Sequence, residues 1–231
     1  MLCKTAHTDN AERWSAAIWN SPPALSYLRG RGVSDASIRD WKLGYCDDAT
    51  IMGHRITFPI YDFGGNVISI SGRTIVDDIP KAWHFPFRKE RYVYGLHLLS
   101  PCPYVVLVEG QTDAVLVRQA GFHTVAVMGS SLSPIAASFL RLFTDKAVCY
   151  PDSESTDSKA FGKCMKWIPS LEAVGIKAAF PQRPYWDETC SDPADIVWDR
   201  KRGCMNRPEW LREQVEQAVS SITKRDTLEL P

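Results

Sequence analysis

The chain has 231 residues, 45% of them hydrophobic and 23% charged, and its 27 Lys plus Arg balance 27 Asp plus Glu to a formal net charge of zero. That composition specifies packed globular structure and excludes a mostly disordered or collagen-like chain. No apolar run approaches the ~20 residues that span a bilayer. Residues 1–16 hold no apolar core of secretory type. The expectation is a cytoplasmic protein with no membrane partner.

Whole-chain charge does not draw the protein onto nucleic acid. Residues 1–100 carry 12 basic and 10 acidic side chains and residues 101–231 carry 15 and 17, so any nucleic-acid site must be a local patch. The seven cysteines are odd in number and include no C-x-x-C pair, and none of the five histidines sits at a ligand spacing from another His or Cys. This argues against a disulfide framework and a zinc ribbon, and no zinc is expected.

The first part reads as short helices. Ser21-Pro22-Pro23 starts one, with Ser as N-cap, and Gly30 and Gly32 break it. Ser34-Asp35 caps the next, which Gly44 is expected to end. His54 to Tyr61 and Asn66 to Thr74 are rich in Ile, Val, Phe and Thr around the turn Asp62-Phe63-Gly64-Gly65, which predicts an antiparallel hairpin.

From Pro101 the period changes. The run Tyr104 to Val108 predicts a strand buried on both faces. Further strands are predicted at Thr124–Met128, Lys146–Tyr150 and Ile176–Phe180. Helices are predicted between them at Ala114–Ala120, from Ser133-Pro134 to about Phe143, and up to about Leu171. Alternating strand and helix is the pattern of a parallel α/β sheet. An amphipathic helix is expected over Arg207–Ile222.

Ligands of an open parallel sheet collect at the carboxyl ends of its strands. Glu109 and Asp113 follow the first predicted strand, Asp152 and Glu154 the third, and Asp192 and Asp195 the fourth; Gly129-Ser130-Ser131 follow the second. Neighbouring carboxylates repel unless a cation sits among them, and Mg²⁺ suits an all-oxygen site that keeps waters for a phosphate to replace. Asp113, Asp152 and Asp192 would each also serve as a helix cap. Glu109, directly after five apolar strand residues, has the least ordinary explanation. In-line phosphoryl displacement with two metal ions is the natural chemistry of such a site.

The segments Val108-Glu109-Gly110-Gln111-Thr112-Asp113-Ala114, Ala126 to Leu132 and Asp152-Ser153-Glu154 resemble a TOPRIM domain, the metal-binding fold of topoisomerases, bacterial primases and some nucleases. The upstream half is similar to the DnaG-type primase core. The likeness is carried by Arg31-Gly32-Val33-Ser34, Trp41 to Tyr45, Arg55 to Asp62, Gly65 to Ile68, Ser71-Gly72-Arg73, Lys81 and Lys89 to Leu96. Asp192-Pro193-Ala194-Asp195 matches that core's last acidic motif.

The resemblance implies a TOPRIM parallel sheet flanked by helices, preceded by a mixed α+β lobe with an antiparallel hairpin. It implies a primase lobe over residues 1–100, a metal-binding domain over 101–182, and the last acidic motif with a helical tail over 183–231. The implied activity is that of a DNA primase, which makes short RNA primers on single-stranded DNA from ribonucleoside triphosphates with Mg²⁺ or Mn²⁺. A replicative helicase or a separate zinc-binding protein is an implied partner. Glu109, Asp152 and Glu154 are the implied metal ligands, and Asp113 and Asp195 further catalytic acids, with Asp192 a weaker candidate. Arg73, Lys81, Lys89, Arg91 and Gly129 are the implied nucleic-acid or nucleotide contacts. The aromatics around them (Trp83, Phe85, Phe87, Tyr92 and Tyr94) are expected mostly to pack.

The sequence departs from the family in placing Glu154 where the third-strand motif usually has a second Asp, in lacking zinc spacing, and in having only the Arg207–Ile222 helix after the match. Such a core resembles phage or mobile-element primases. Two other readings stand beside it: a TOPRIM nuclease, and a catalytically inactive module that binds nucleic acid or a helicase.

Overall fold

In a computed structural model that describes residues 2–48, 52–77, 80–129, 131–150, 152, 165–181, 190 and 192–228, the chain divides into two units, Met1–Arg88 and Lys89–Pro231. The first begins with α1 (Leu2–Ala17) and a 3₁₀ turn at Ile18–Asn20. His7, Ala11, Trp14 and Ile18 are all buried and recur three to four residues apart, so they form one inward stripe. Two short helices follow, α2 (Pro22–Gly30) and α3 (Asp35–Asp40). The Ser21 hydroxyl accepts the Ala24 N–H at 3.4 Å and the Ser34 hydroxyl accepts the Ser37 N–H at 3.2 Å, so both serines cap as expected.

Gly44 does not end α3. The helix stops at Asp40, Lys42 takes the left-handed conformation (φ 50°), and Gly44 opens β1 (Gly44–Cys46). Glycine is required there for a different reason. A Cβ on Gly44 would lie 2.6 Å from the Trp14 carbonyl carbon and 2.8 Å from the Ser15 nitrogen, so the backbone of α1 rests directly on β1.

The expected hairpin is β2 (Arg55–Tyr61) and β3 (Val67–Thr74), paired antiparallel with Ile56 opposite Arg73 and Phe58 opposite Ser71. Its turn is closed by Asp62, whose Oδ1 accepts the Asn66 N–H at 2.9 Å, with Gly65 at φ 77°. Two strands that the pattern did not mark, β1 and β4 (Ala82–His84), complete a sheet in the order β1-β2-β3-β4. Pro59 is tolerated in β2 because it lies beyond Thr57, the last position paired with β1, and has a sheet neighbour only in β3. The core between α1 and the sheet contains Ala11, Trp14, Cys46, Met52, Tyr61, Val67 and Ile70, with Trp83 and Phe85 packed against it.

The second unit opens with a 3₁₀ turn at Lys89–Arg91, and a second such turn covers Leu96–Leu98. Then come β5 (Val105–Val108), α4 (Gln111–Gln119), β6 (Thr124–Ala126), α5 (Pro134–Arg141), β7 (Lys146–Cys149), α6 (Ile168–Glu172) and β8 (Lys177–Ala179). The strands are all parallel, in the order β6-β5-β7-β8. Inner strand β5 is buried throughout, as its continuous apolar run demands. Tyr94 adds an antiparallel bridge to Ala126 through hydrogen bonds of 2.8 and 2.9 Å.

Two of the boundaries that differ from expectation have a visible cause. Strand β6 stops at Ala126 rather than Met128, because Val127 and Met128 turn across the end of β5 and donate to the carbonyls of Val108 and Glu109 at 2.9 and 3.0 Å. Met128 takes φ 60° to do so, an uncommon conformation for a residue with a side chain. Helix α4 begins at Gln111, one turn before Ala114, because Gly110 and Asp113 cap it.

The chain ends in α7 (Pro193–Val197), a two-stranded ribbon of β9 (Trp198–Asp199) and β10 (Cys204–Met205), and α8 (Pro208–Leu228). Leu211, Val215, Ala218 and Ile222 are buried at helical spacing along α8, which continues past the expected end at Ile222. Among the described residues no helix is long and apolar enough to cross a membrane.

Candidate metal centre and nucleic-acid contacts

The parallel register sets the site. Leu107 in β5 lies opposite Cys149 in β7, so Glu109, two residues on, and Asp152, three residues on, leave the sheet at the same edge. The Glu109 backbone is held by Met128, whose N–H donates to its carbonyl. Its side-chain Oε1 is cut off from solvent and has no hydrogen-bond partner among the described residues. A buried carboxylate oxygen left in that state is costly unless a partner meets it.

Asp113 lies in the first turn of α4 and is 6% exposed. Burial, followed by the charges of Asp192 and Asp152, pushes its carboxyl well above the ordinary range. The Gly110 N–H and the Arg200 guanidinium oppose that shift without cancelling it. The pairing of Gly110 with Asp113 is the reciprocal half of a capping box, with glycine where Ser or Thr usually stands. A Cβ on Gly110 would collide with Asp113 Oδ2.

Asp192 and Asp195 sit at the start of α7, which packs on α4. Asp192 is the N-cap, its Oδ1 accepting the Asp195 N–H at 2.8 Å. Burial, and then the charge of Asp195, raise its pKa, and Arg200 partly offsets them. Arg200 binds both acids, through Nη2 to Asp192 Oδ2 at 2.8 Å and through Nε to Asp195 Oδ1 at 3.0 Å. Desolvation works against its charge, but Asp192, Asp195 and Asp113 outweigh it.

The structure therefore gathers Asp113, Asp152, Asp192 and Asp195 near one another, with Arg200 among them. Glu154 lies outside the described residues. Among those described, no three acids, histidines or cysteines converge on a point where one ion could sit. Sequence reasoning missed Arg200, since no periodicity links it to the acids: the β9–β10 ribbon returns it to them.

The basic candidates fall in two places. In the first unit, half-buried Arg73 is on β3 opposite Ala82 of β4, and exposed Lys81 lies just before β4, its carbonyl accepting the Thr74 N–H at 3.1 Å. In the second, Lys89 and Arg91 are exposed on the 3₁₀ turn. The Glu90 carbonyl in that turn accepts the Ser133 N–H at 3.2 Å, tying it to the loop that begins at Gly129. Gly129 borders open space, with nothing within 4 Å of where a Cβ would be.

No protein-family model matches the chain. Curated DNA primases do. That of Helicobacter pylori strain J99 is 27% identical over 220 residues, covering 78% of this chain and 38% of that protein. That of Deinococcus radiodurans is 30% identical over 219 residues, covering 76% and 37%. Among solved structures, a DnaG catalytic core superposes with a TM-score of 0.75 at 23% identity, covering 96% of this chain and 83% of that one. The chain is similar in sequence to these DNA primases and has the fold of a DnaG catalytic core. A DnaG primase catalytic domain solved bound to single-stranded DNA has the same fold, with a TM-score of 0.73 at 22% identity over 96% of this chain and 84% of that one. The α/β architecture, with a four-stranded antiparallel and a four-stranded parallel sheet, is that of the DnaG core. The chain spans less than two fifths of the length of these curated relatives.

Proposed function

We propose that this chain is the polymerising core of a DNA primase, a nucleotidyltransferase that joins ribonucleotides into short primers on a single-stranded DNA template. The observation that carries the reading is the buried oxygen of Glu109, without a hydrogen-bond partner among the described residues, at the sheet edge it shares with Asp152. The relationship to primases supports it.

The donor set fits Mg²⁺ or Mn²⁺, since every candidate is a carboxylate oxygen and one of those oxygens has no hydrogen-bond partner among the described residues. Glu109, Asp152 and Glu154 would hold the metal, with Asp113 and Asp195 as further acids of the network. Divalent ions, when bound, favour the attacking 3′-hydroxyl and steady the leaving pyrophosphate. The carboxylates would place the ions and exchange no protons with substrate. Gly110 and the first turn of α4 fix Asp113, and Met128 fixes the Glu109 backbone, so both are positioned before substrate arrives. Lys89 and Arg91, exposed beside the Gly129 loop, supply charge for a triphosphate or a template phosphate. Arg73 and Lys81 are assigned to template or hybrid contacts on the family likeness alone.

The test is incubation with single-stranded DNA, labelled ribonucleoside triphosphates and Mg²⁺ or Mn²⁺. New short RNA supports the proposal. Shortened DNA would mean a nuclease, and binding without either product would mean an inactive module; both overturn it.

A further inference from the structure

We infer that Arg200 is the resident cation of the Asp192–Asp195 end of the acid cluster, so that these two aspartates position the site while divalent ions bind at the Glu109–Asp152 end. The inference rests on the metal reading above and divides its acids into two kinds.

The geometry at the two ends differs. Arg200 reaches both aspartates with separate donors, Nη2 to Asp192 at 2.8 Å and Nε to Asp195 at 3.0 Å. Short charge-assisted bonds from a planar guanidinium fork are among the strongest polar contacts a protein makes. Both oxygens of Asp192 are committed, Oδ2 to Arg200 and Oδ1 to the Asp195 N–H at 2.8 Å. The two aspartate side chains are only 18% and 11% exposed, so a pair of unneutralised charges there would be costly.

Arg200 is itself anchored. It follows β9 in a turn closed by the Gly203 N–H on the Asp199 carbonyl at 2.8 Å. The Asp195 carbonyl is bound by Asn206 Nδ2 at 2.8 Å, which locks α7 to the start of α8. A metal ion at this end would have to displace a fixed guanidinium from both carboxylates. At the other end, Glu109 Oε1 has no hydrogen bond to give up among the described residues.

Mn²⁺ titration by calorimetry on the whole chain, read with thermal melting in the presence and absence of Mn²⁺, tests this. In wild type, absence of any Mn²⁺ binding would defeat the metal reading itself. Given wild-type binding, Arg200→Gln is expected to take up an additional ion, to melt lower than wild type without metal, and to recover on adding Mn²⁺. Arg200→Lys, which keeps the charge, is expected to retain the wild-type number of ions. Asp195→Asn, which leaves Arg200 in place, is expected to bind as many Mn²⁺ ions as wild type. An unchanged ion count in folded Arg200→Gln, or loss of an ion in Asp195→Asn, would overturn the assignment. If Arg200→Gln does not fold, the Asp195→Asn count decides alone.

Discussion

Gly110 and Asp113 close the first turn of α4 on each other: the glycine N–H donates to the aspartate carboxylate, and Asp113 Oδ2 fills the space that a Cβ on Gly110 would need. The turn after β5 thus has room for no larger residue, and the acid it orients is buried among other acids. Gly110→Ala is expected to destabilise the chain by about 1–3 kcal/mol, because either the aspartate must leave its cap or the turn must open. Urea unfolding against wild type measures this. Equal midpoints would show that the turn adapts freely.

The second prediction concerns Gly44, where β1 meets the backbone of α1 near Trp14 and Ser15. Backbone atoms, unlike the end of a side chain, cannot swing aside. Gly44→Ala is expected to cost at least ~1–3 kcal/mol by separating α1 from the sheet. The loss should appear as a lower melting temperature and greater exposure of Trp14, read by fluorescence quenching.

The C-terminal helix supplies a third. Leu211 is fully buried on the inward face of α8, which packs on α7, β7 and β8. Leu211→Ala removes its methyl groups from that contact and is expected to lower stability by about 2–5 kcal/mol. Denaturant titration checks the figure.

On the proposed function, Lys89→Ala and Arg91→Ala are expected to weaken binding of single-stranded DNA or of nucleotide. If each residue neutralises one phosphate, each substitution should reduce the slope of log affinity against log salt by about 0.7 for single-stranded DNA. Fluorescence anisotropy at several ionic strengths distinguishes a phosphate contact from mere surface charge, which would leave the slope unchanged.

Much of this molecule was legible in its residues because its strongest signals are local. The run Val105 to Val108 can be little but an inner strand, and Ser21, Ser34 and Ser133 mark helix starts through their own hydroxyls. The hairpin declared itself through alternating apolar residues around Asp62 and Gly65. What escaped depends on distant partners. Strands β1 and β4 are three residues each and are ordered by the sheet they join. The inward stripe of α1 is carried by His7, Ala11 and Trp14, too mixed in character to register as an apolar face. Val127 and Met128 end β6 through hydrogen bonds to the carbonyls of Val108 and Glu109, which no property of either side chain announces.

At the site, the acids could be named because the ends of parallel strands are where such residues gather. Their division into kinds could not. Glu109 and Asp192 are both carboxylates at strand or helix ends, yet among the described residues one holds a buried oxygen with no hydrogen-bond partner and the other has both oxygens bonded. Arg200 makes that difference from eight residues beyond Asp192, through a ribbon of two-residue strands too short to read.

The most direct test is Mn²⁺ titration of Glu109→Gln beside wild type, since glutamine keeps the shape of the side chain and removes its charge. The account predicts that divalent-ion affinity falls by about tenfold or more, at least the loss seen when even an outer partner of a metal site is removed, while single-stranded DNA binding is retained. Undiminished Mn²⁺ affinity in a folded Glu109→Gln protein would contradict it.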